Sequence, residues 1–141
     1  SALQPITIGN NVHIGLGSYF LAGGGEITIR DFCGVSSRVT FLTSSDDYVD
    51  GWMTNPTIPM KYRKVKTGPI TLDKHVIVGC GSIIMPGCHL NIGASVGALT
   101  FVTKNIPEFT VVSGNPARVV CKRNKAKLLE MEQKYHHETN N

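Results

Sequence analysis

The chain has 141 residues, 17% of them charged, a formal net charge of +4 and 15 glycines. That length suits one domain, and the modest charge excess, with no helix-turn-helix, zinc-finger or RRM pattern, argues against nucleic acid as a partner. No apolar run is long enough to span a bilayer, and four cysteines without a C-x-x-C spacing or a preceding secretory signal read as reduced thiols of a cytoplasmic protein.

In chain order, the first signal is a six-residue apolar spacing. Ile8, Val12, Ile14 and Phe20 set its phase; Gly23 to Gly25 break it, and it resumes three residues late at Ile29, Val35 and Phe41. Two coils are expected over residues 5–45, with a bulge at the triple glycine. Those glycines are no phosphate loop, because no Lys-Ser/Thr follows them. The next stretch, 46–69, lacks the repeat but carries Tyr48, Trp52, Tyr62 and three prolines. A loop of that length is functional or disordered, and its aromatics argue against disorder. It is expected to protrude as an arm that walls a site.

The spacing then becomes strict: Leu72, Val78, Ile84, Leu90, Val96 and Val102 stand six positions apart. Six is the period of neither a helix nor a simple strand. It marks an all-β solenoid of hexapeptide repeats, each turn made of short strands and tight corners. The residues four places after each comb position (Val76, Ser82, Cys88, Ala94, Thr100, Ile106) are mostly small or β-branched, as a narrow coil requires. Gly79 and Gly97, one place after, are read as positions of backbone freedom. Beyond Ile106-Pro107 comes a last strand at 109–112, a turn at 114–116 and a helix over 123–137 with Leu128, Leu129 and Met131 as its apolar stripe. That helix is expected to cap the open end of the solenoid. The chain thus divides into a solenoid, 1–121, with its insertion at 46–69, and a helix and tail, 122–141.

The pieces V-G-A-x-x-x-V-T-K (96–104) and G-N-P-A-R (114–118), within a comb covering most of 5–107, resemble the hexapeptide-repeat acetyltransferases, in particular the maltose, galactoside and polysaccharide O-acetyltransferase branch. The resemblance implies a left-handed parallel β-helix with a loop insertion, a homotrimer with active sites between subunits, acetyl-CoA as acyl donor and no metal. It places Cys80 and Ala98 beside the pantetheine, Thr103 and Lys104 along the cofactor, and Arg118 with nearby Lys122 at its phosphates. Cations at one end of an extended groove suit phosphates. The other reading of Lys104 and Arg118 is a solvated surface charge.

The family's general base is a histidine just before the insertion, and here that segment reads Thr43-Ser44-Ser45-Asp46-Asp47-Tyr48. Asp46 occupies the histidine's place. Three readings stay open. Asp46 or Asp47 could serve as base, although a carboxylate near ~3.9 needs burial or a like charge to raise it. His75, at a coil corner, could face the same groove with a suitable pKa, alone or paired with an aspartate. Catalysis could also be impaired. His13 and His89 are weaker candidates, and an Asp pair can simply cap a turn. The Gly79 or Cys80 amide is the candidate oxyanion donor. The expected function is acetyl transfer to a sugar hydroxyl or an amino sugar, with a carbohydrate or nucleotide-sugar acceptor; the alternative is a non-catalytic binding trimer.

Overall fold

The six-residue comb turns inward at nearly every step. In the computed structural model, which describes residues 4–140, the comb residues from Ile29 to Val102 are all buried, and so, except for Ser45 at the root of the arm, are the residues four places after them. Each inward aliphatic side chain contributes on the order of 1.5–3 kcal/mol by leaving water. Residues 1–3 and 141, the extremes of the expected 1–121 and 122–141 segments, lie outside the described residues.

The chain winds as a triangular column. Its first coil contains β1 (Ile6–Ile8), β2 (His13–Ile14) and β3 (Tyr19–Leu21), its second β4 (Ile27–Ile29), β5 (Gly34–Val35) and β6 (Thr40–Leu42). The arm departs through β7 (Ser44–Asp46) and returns through β8 (Val65–Thr67). A third coil follows as β9 (Ile70–Leu72), β10 (Ile77–Val78) and β11 (Ile83–Ile84), and a fourth as β12 (His89–Leu90), β13 (Ser95–Val96) and β14 (Phe101–Val102). Then come β15 (Thr110–Ser113), β16 (Arg118–Lys122) and helix α1 (Lys125–Thr139). Like strands of successive coils pair in parallel, giving three sheets on three faces.

Register explains the spacing. Ile77 pairs with Ser95 and Ile83 with Phe101, so one turn takes eighteen residues, three hexads. Ile6 pairs with Ile27, a turn of twenty-one. The three extra residues are the triple glycine, as the phase slip indicated. A Cβ on Gly24 would lie 2.3 Å from the Thr43 carbonyl oxygen, and one on Gly25 2.7 Å from the Gly68 carbonyl carbon. Thr43 and Gly68 are the two roots of the arm, joined by a Gly68 N–H to Thr43 O bond of 3.0 Å. The glycines therefore let the first coil pass directly beneath the arm.

Two expectations need correction. Gly79 does not serve backbone freedom, since a side chain there would meet the next coil, 2.5 Å from the Ala98 nitrogen. The left-handed residue sits three places after the comb position, at His75, Gly81, Gly87, Gly93 and Leu99, every sixth residue in turn. Nor does α1 plug the end of the column. It lies along the edge between the first two faces, from Lys125 over the Phe109 ring down to Tyr135 beside Asn11. Fifteen residues at about 1.5 Å each match four coil steps of about 4.8 Å. Asn124 caps its start by accepting the Lys127 N–H at 3.0 Å. The comb also fails at the first coil, where Ile6 and Ile8 are exposed because no coil lies beneath them among the described residues. Strand β16, antiparallel to β15, had no signal in the repeat.

Candidate functional site

The arm leaves the column at the third edge as a two-stranded antiparallel ribbon, with Ser45 opposite Lys66 and Asp46 opposite Val65. Asp46 closes β7 and Asp47 opens the turn beyond it, and their side chains part company. Asp46 receives the Arg63 Nη2–H at 2.6 Å on Oδ1 and the Asn55 N–H at 2.8 Å on Oδ2. The Arg63 hydrogen bond, followed by that from Asn55, holds its carboxyl below the usual range. Asp47 is buried, and its Oδ1 accepts the Val49 and Asp50 N–H groups at 3.0 and 3.2 Å. Those two bonds also lower its pKa. Asp47 is the turn cap that opens the arm, and no burial-raised carboxylate base exists at either position.

Asp46 lines a cavity of about 230 Å³ at the arm's root, with Ser45, Lys66, Met85, Phe101 and Thr103. Thr103 also lines a second cleft, of about 170 Å³, with Lys104, Ala117 and Arg118. One wall thus runs from Asp46 through Thr103 to two cations. Arg118 comes to Lys104 because the turn at 114–117 folds β16 back on β15 so that Ser113 faces Arg118.

Cys80 and Ala98 stand elsewhere, one above the other on the second edge, both exposed. The Gly79 N–H is engaged with Val96 O at 2.8 Å and cannot serve an oxyanion. Among the described residues the Cys80 and Ala98 amides take no part in the inter-coil ladder, so an extended chain could bond to them. Lys122 lies at the far end of β16 from Arg118, donating to Thr110 Oγ1 at 2.9 Å. It does not join the cation cleft.

His75 is not brought to Asp46. It occupies the first edge, 8% exposed, under α1. Its ring stacks on Phe32 at 5.2 Å, its Nε2 lies 3.1 Å from Glu132 Oε2, and its carbonyl accepts the Arg123 Nη1–H at 2.7 Å. Glu132 also pairs with Lys74, and that hydrogen bond, ahead of the one to His75, draws its pKa down to about 2. This cluster fixes the helix to the column. His89 bonds to Asp73 Oδ2 at 2.7 Å on the first face, and His13 is exposed on the second. Cys33 and Cys88 fill the core, their thiols pushed up to about 11 by burial. Among the described residues no three metal-ligating side chains converge and no helix is long and apolar enough to cross a membrane. Sequence reasoning missed Arg63 and Lys66, whose only signal was a basic run opposite the two aspartates.

An Escherichia coli dTDP-4-amino-4,6-dideoxy-D-glucose acyltransferase is 41% identical over 127 residues, 90% of this chain and 65% of that protein. AntD, an N-acyltransferase from Bacillus cereus solved with dTDP and 3-hydroxybutyryl-CoA, superposes with a TM-score of 0.89 at 34% identity, over 99% of this chain and 74% of the other. The chain belongs to the hexapeptide-repeat acyltransferases. A Vibrio cholerae hexapeptide-repeat acetyltransferase solved with acetyl-CoA shares the fold, with a TM-score of 0.72 at 23% identity, over 86% of this chain and 65% of that one. No family model matches the chain. This hexapeptide-repeat acyltransferase chain spans about 65% of the length of the E. coli relative it matches.

Proposed function

We propose that the protein transfers a short acyl group, acetyl in the first instance, from acyl-CoA to the amino group of a nucleotide-linked sugar. The observation that carries this is Asp46: the carboxylate standing where the family's histidine would be is held ionised and below the ordinary carboxylate range, on the cavity wall. Such a group is too weak a base for a hydroxyl. An amine beside electron-withdrawing sugar oxygens is nearer an α-amino group, about 8, than a lysine, so part of it carries a free lone pair at neutral pH. Orientation by Asp46 then suffices. The relatives named for a dTDP-amino sugar and as an N-acyltransferase support the same acceptor.

The amine lone pair attacks the thioester carbon, one amine N–H directed onto the Asp46 carboxylate. The C–S bond breaks, and the proton lost by nitrogen ends on the departing thiolate, giving an amide and free CoA. Lys104 and Arg118 suit the donor's phosphates, with Thr103 along its path. Cys80 and Ala98, on another edge, reach the same donor from a second copy in a three-fold assembly of left-handed columns. The exposed Leu16 and Leu99 beside them support such a covering, and the Cys80 amide is the remaining oxyanion donor.

The test is CoA release, followed with a thiol reagent, from acetyl-CoA with a 4-amino sugar nucleotide and with its 4-hydroxy counterpart. Release with the amine alone is expected. Release only with the hydroxyl overturns the acceptor, and absence of CoA binding by calorimetry favours a non-catalytic binding trimer.

A further inference from the structure

The acceptor proposed above carries a diphosphate, whose charge must be met near the Asp46 cavity. Lys66 is the one cation among the residues that line it. The rest of the ribbon's basic run is engaged. Arg63 is tied to Asp46 at 2.6 Å, and the Lys64 ammonium lies between Asp47 and Asp50 at 3.6 and 3.7 Å. The Lys66 ammonium has one protein partner among the described residues, Asp47 Oδ1 at 4.0 Å, beyond hydrogen-bond reach. Its three N–H donors are open to a ligand. Asp47 itself is fully buried with Oδ2 accepting no hydrogen bond, so its charge sits below Lys64 and Lys66 and holds both ammonium groups over the ribbon. Ser45, directly across the ribbon from Lys66, lines the same cavity.

Resting on the nucleotide-sugar reading, we infer that Lys66, with Ser45 beside it, binds the diphosphate of the acceptor and so sets the preference for a nucleotide-linked over a free amino sugar. Lys104 and Arg118 face the neighbouring cleft, so donor and acceptor phosphates meet different cations.

The experiment compares a dTDP-linked 4-amino sugar with the same sugar lacking the nucleotide, for wild type, Lys66→Met and Lys66→Arg. Lys66→Met should raise KM for the nucleotide-linked acceptor about tenfold or more, as expected for a lost charge-assisted contact, and leave KM for acetyl-CoA and for the free sugar within about twofold. Lys66→Arg should keep most of the preference. An unchanged ratio of the two acceptors in Lys66→Met overturns the inference while leaving acyl transfer intact. If wild type acylates neither sugar, the acyl-transfer reading fails separately, and calorimetric titration with dTDP and thymidine decides this one. Tighter binding of dTDP that Lys66→Met abolishes supports it; equal affinities, or no binding of dTDP, overturn it.

Discussion

Arg63 donates from Nη2 to Asp46 Oδ1 across 2.6 Å, joining the two legs of the arm where they border the cavity. Both groups are largely shielded, with 11% and 22% of their side chains exposed. The pair does two things at once. It closes the ribbon, and it keeps Asp46 a carboxylate rather than a proton reservoir.

Asp46→Asn should therefore lower kcat by about 100-fold, the scale of losing the orientation of a reacting group, with little change in KM for acetyl-CoA. Arg63→Met should lower turnover less and loosen the arm, which limited proteolysis at 46–69 would detect. Full activity in Asp46→Asn would remove the carboxylate from the mechanism.

The pH profile separates an amine acceptor from a histidine base. Asp46 is depressed, so it stays ionised well below neutrality. The rise in kcat/KM should follow the acceptor amine toward about pH 8, without an inflection that His75→Ala abolishes.

His75→Ala should act on stability. It removes the stack on Phe32 and one of the partners of Glu132, leaving Lys74, a loss of about 1–3 kcal/mol. The melting temperature falls and kcat changes little; the reverse pattern would return His75 to the active site.

Glu132 gives the attachment of α1 an acid limb. Its ordinary value, 4.5, is lowered to about 2 in the folded chain. A depressed carboxylate stabilises above its unfolded value, and that stabilisation is lost as pH falls through the folded one. Docking of α1 should hold above pH 4.5 and weaken between there and about 2, read by proteolysis of the helix or by Tyr135 fluorescence.

On the donor side, Arg118→Ala should raise KM for acetyl-CoA about tenfold, the scale of one charge-assisted contact. Lys122→Ala should matter little, because Lys122 serves Thr110 at the other end of β16. Gly79→Ala should cost about 1–3 kcal/mol through overpacking, since its methyl would press on Ala98 N. Thermal unfolding and donor titration check these together.

The column was legible because a solenoid repeats one local problem. Every sixth residue must point inward, and every coil must add eighteen residues or declare the excess, as Gly23 to Gly25 do. Lys104 and Arg118, which line one cleft, belong to motifs readable at short range. His75 misled because a corner residue does not itself state what covers its edge, and Lys122 because the antiparallel β16 carries it away from Arg118. His75 is six residues before Gly81 and holds the same corner conformation, yet one edge carries α1 and another the column's exposed amides.

By itself, the sequence determined the parallel coil, the place of its interruption and the absence of a histidine there, since these depend on spacing and residue type along the chain. Only the tertiary structure decided how adjacent Asp46 and Asp47 divide their work. The first, at the end of β7, bonds to Arg63, and the second, capping the turn that follows, is buried under Lys64 and Lys66. That partition depends on the returning leg of the arm, some twenty residues away, and no local pattern encodes it.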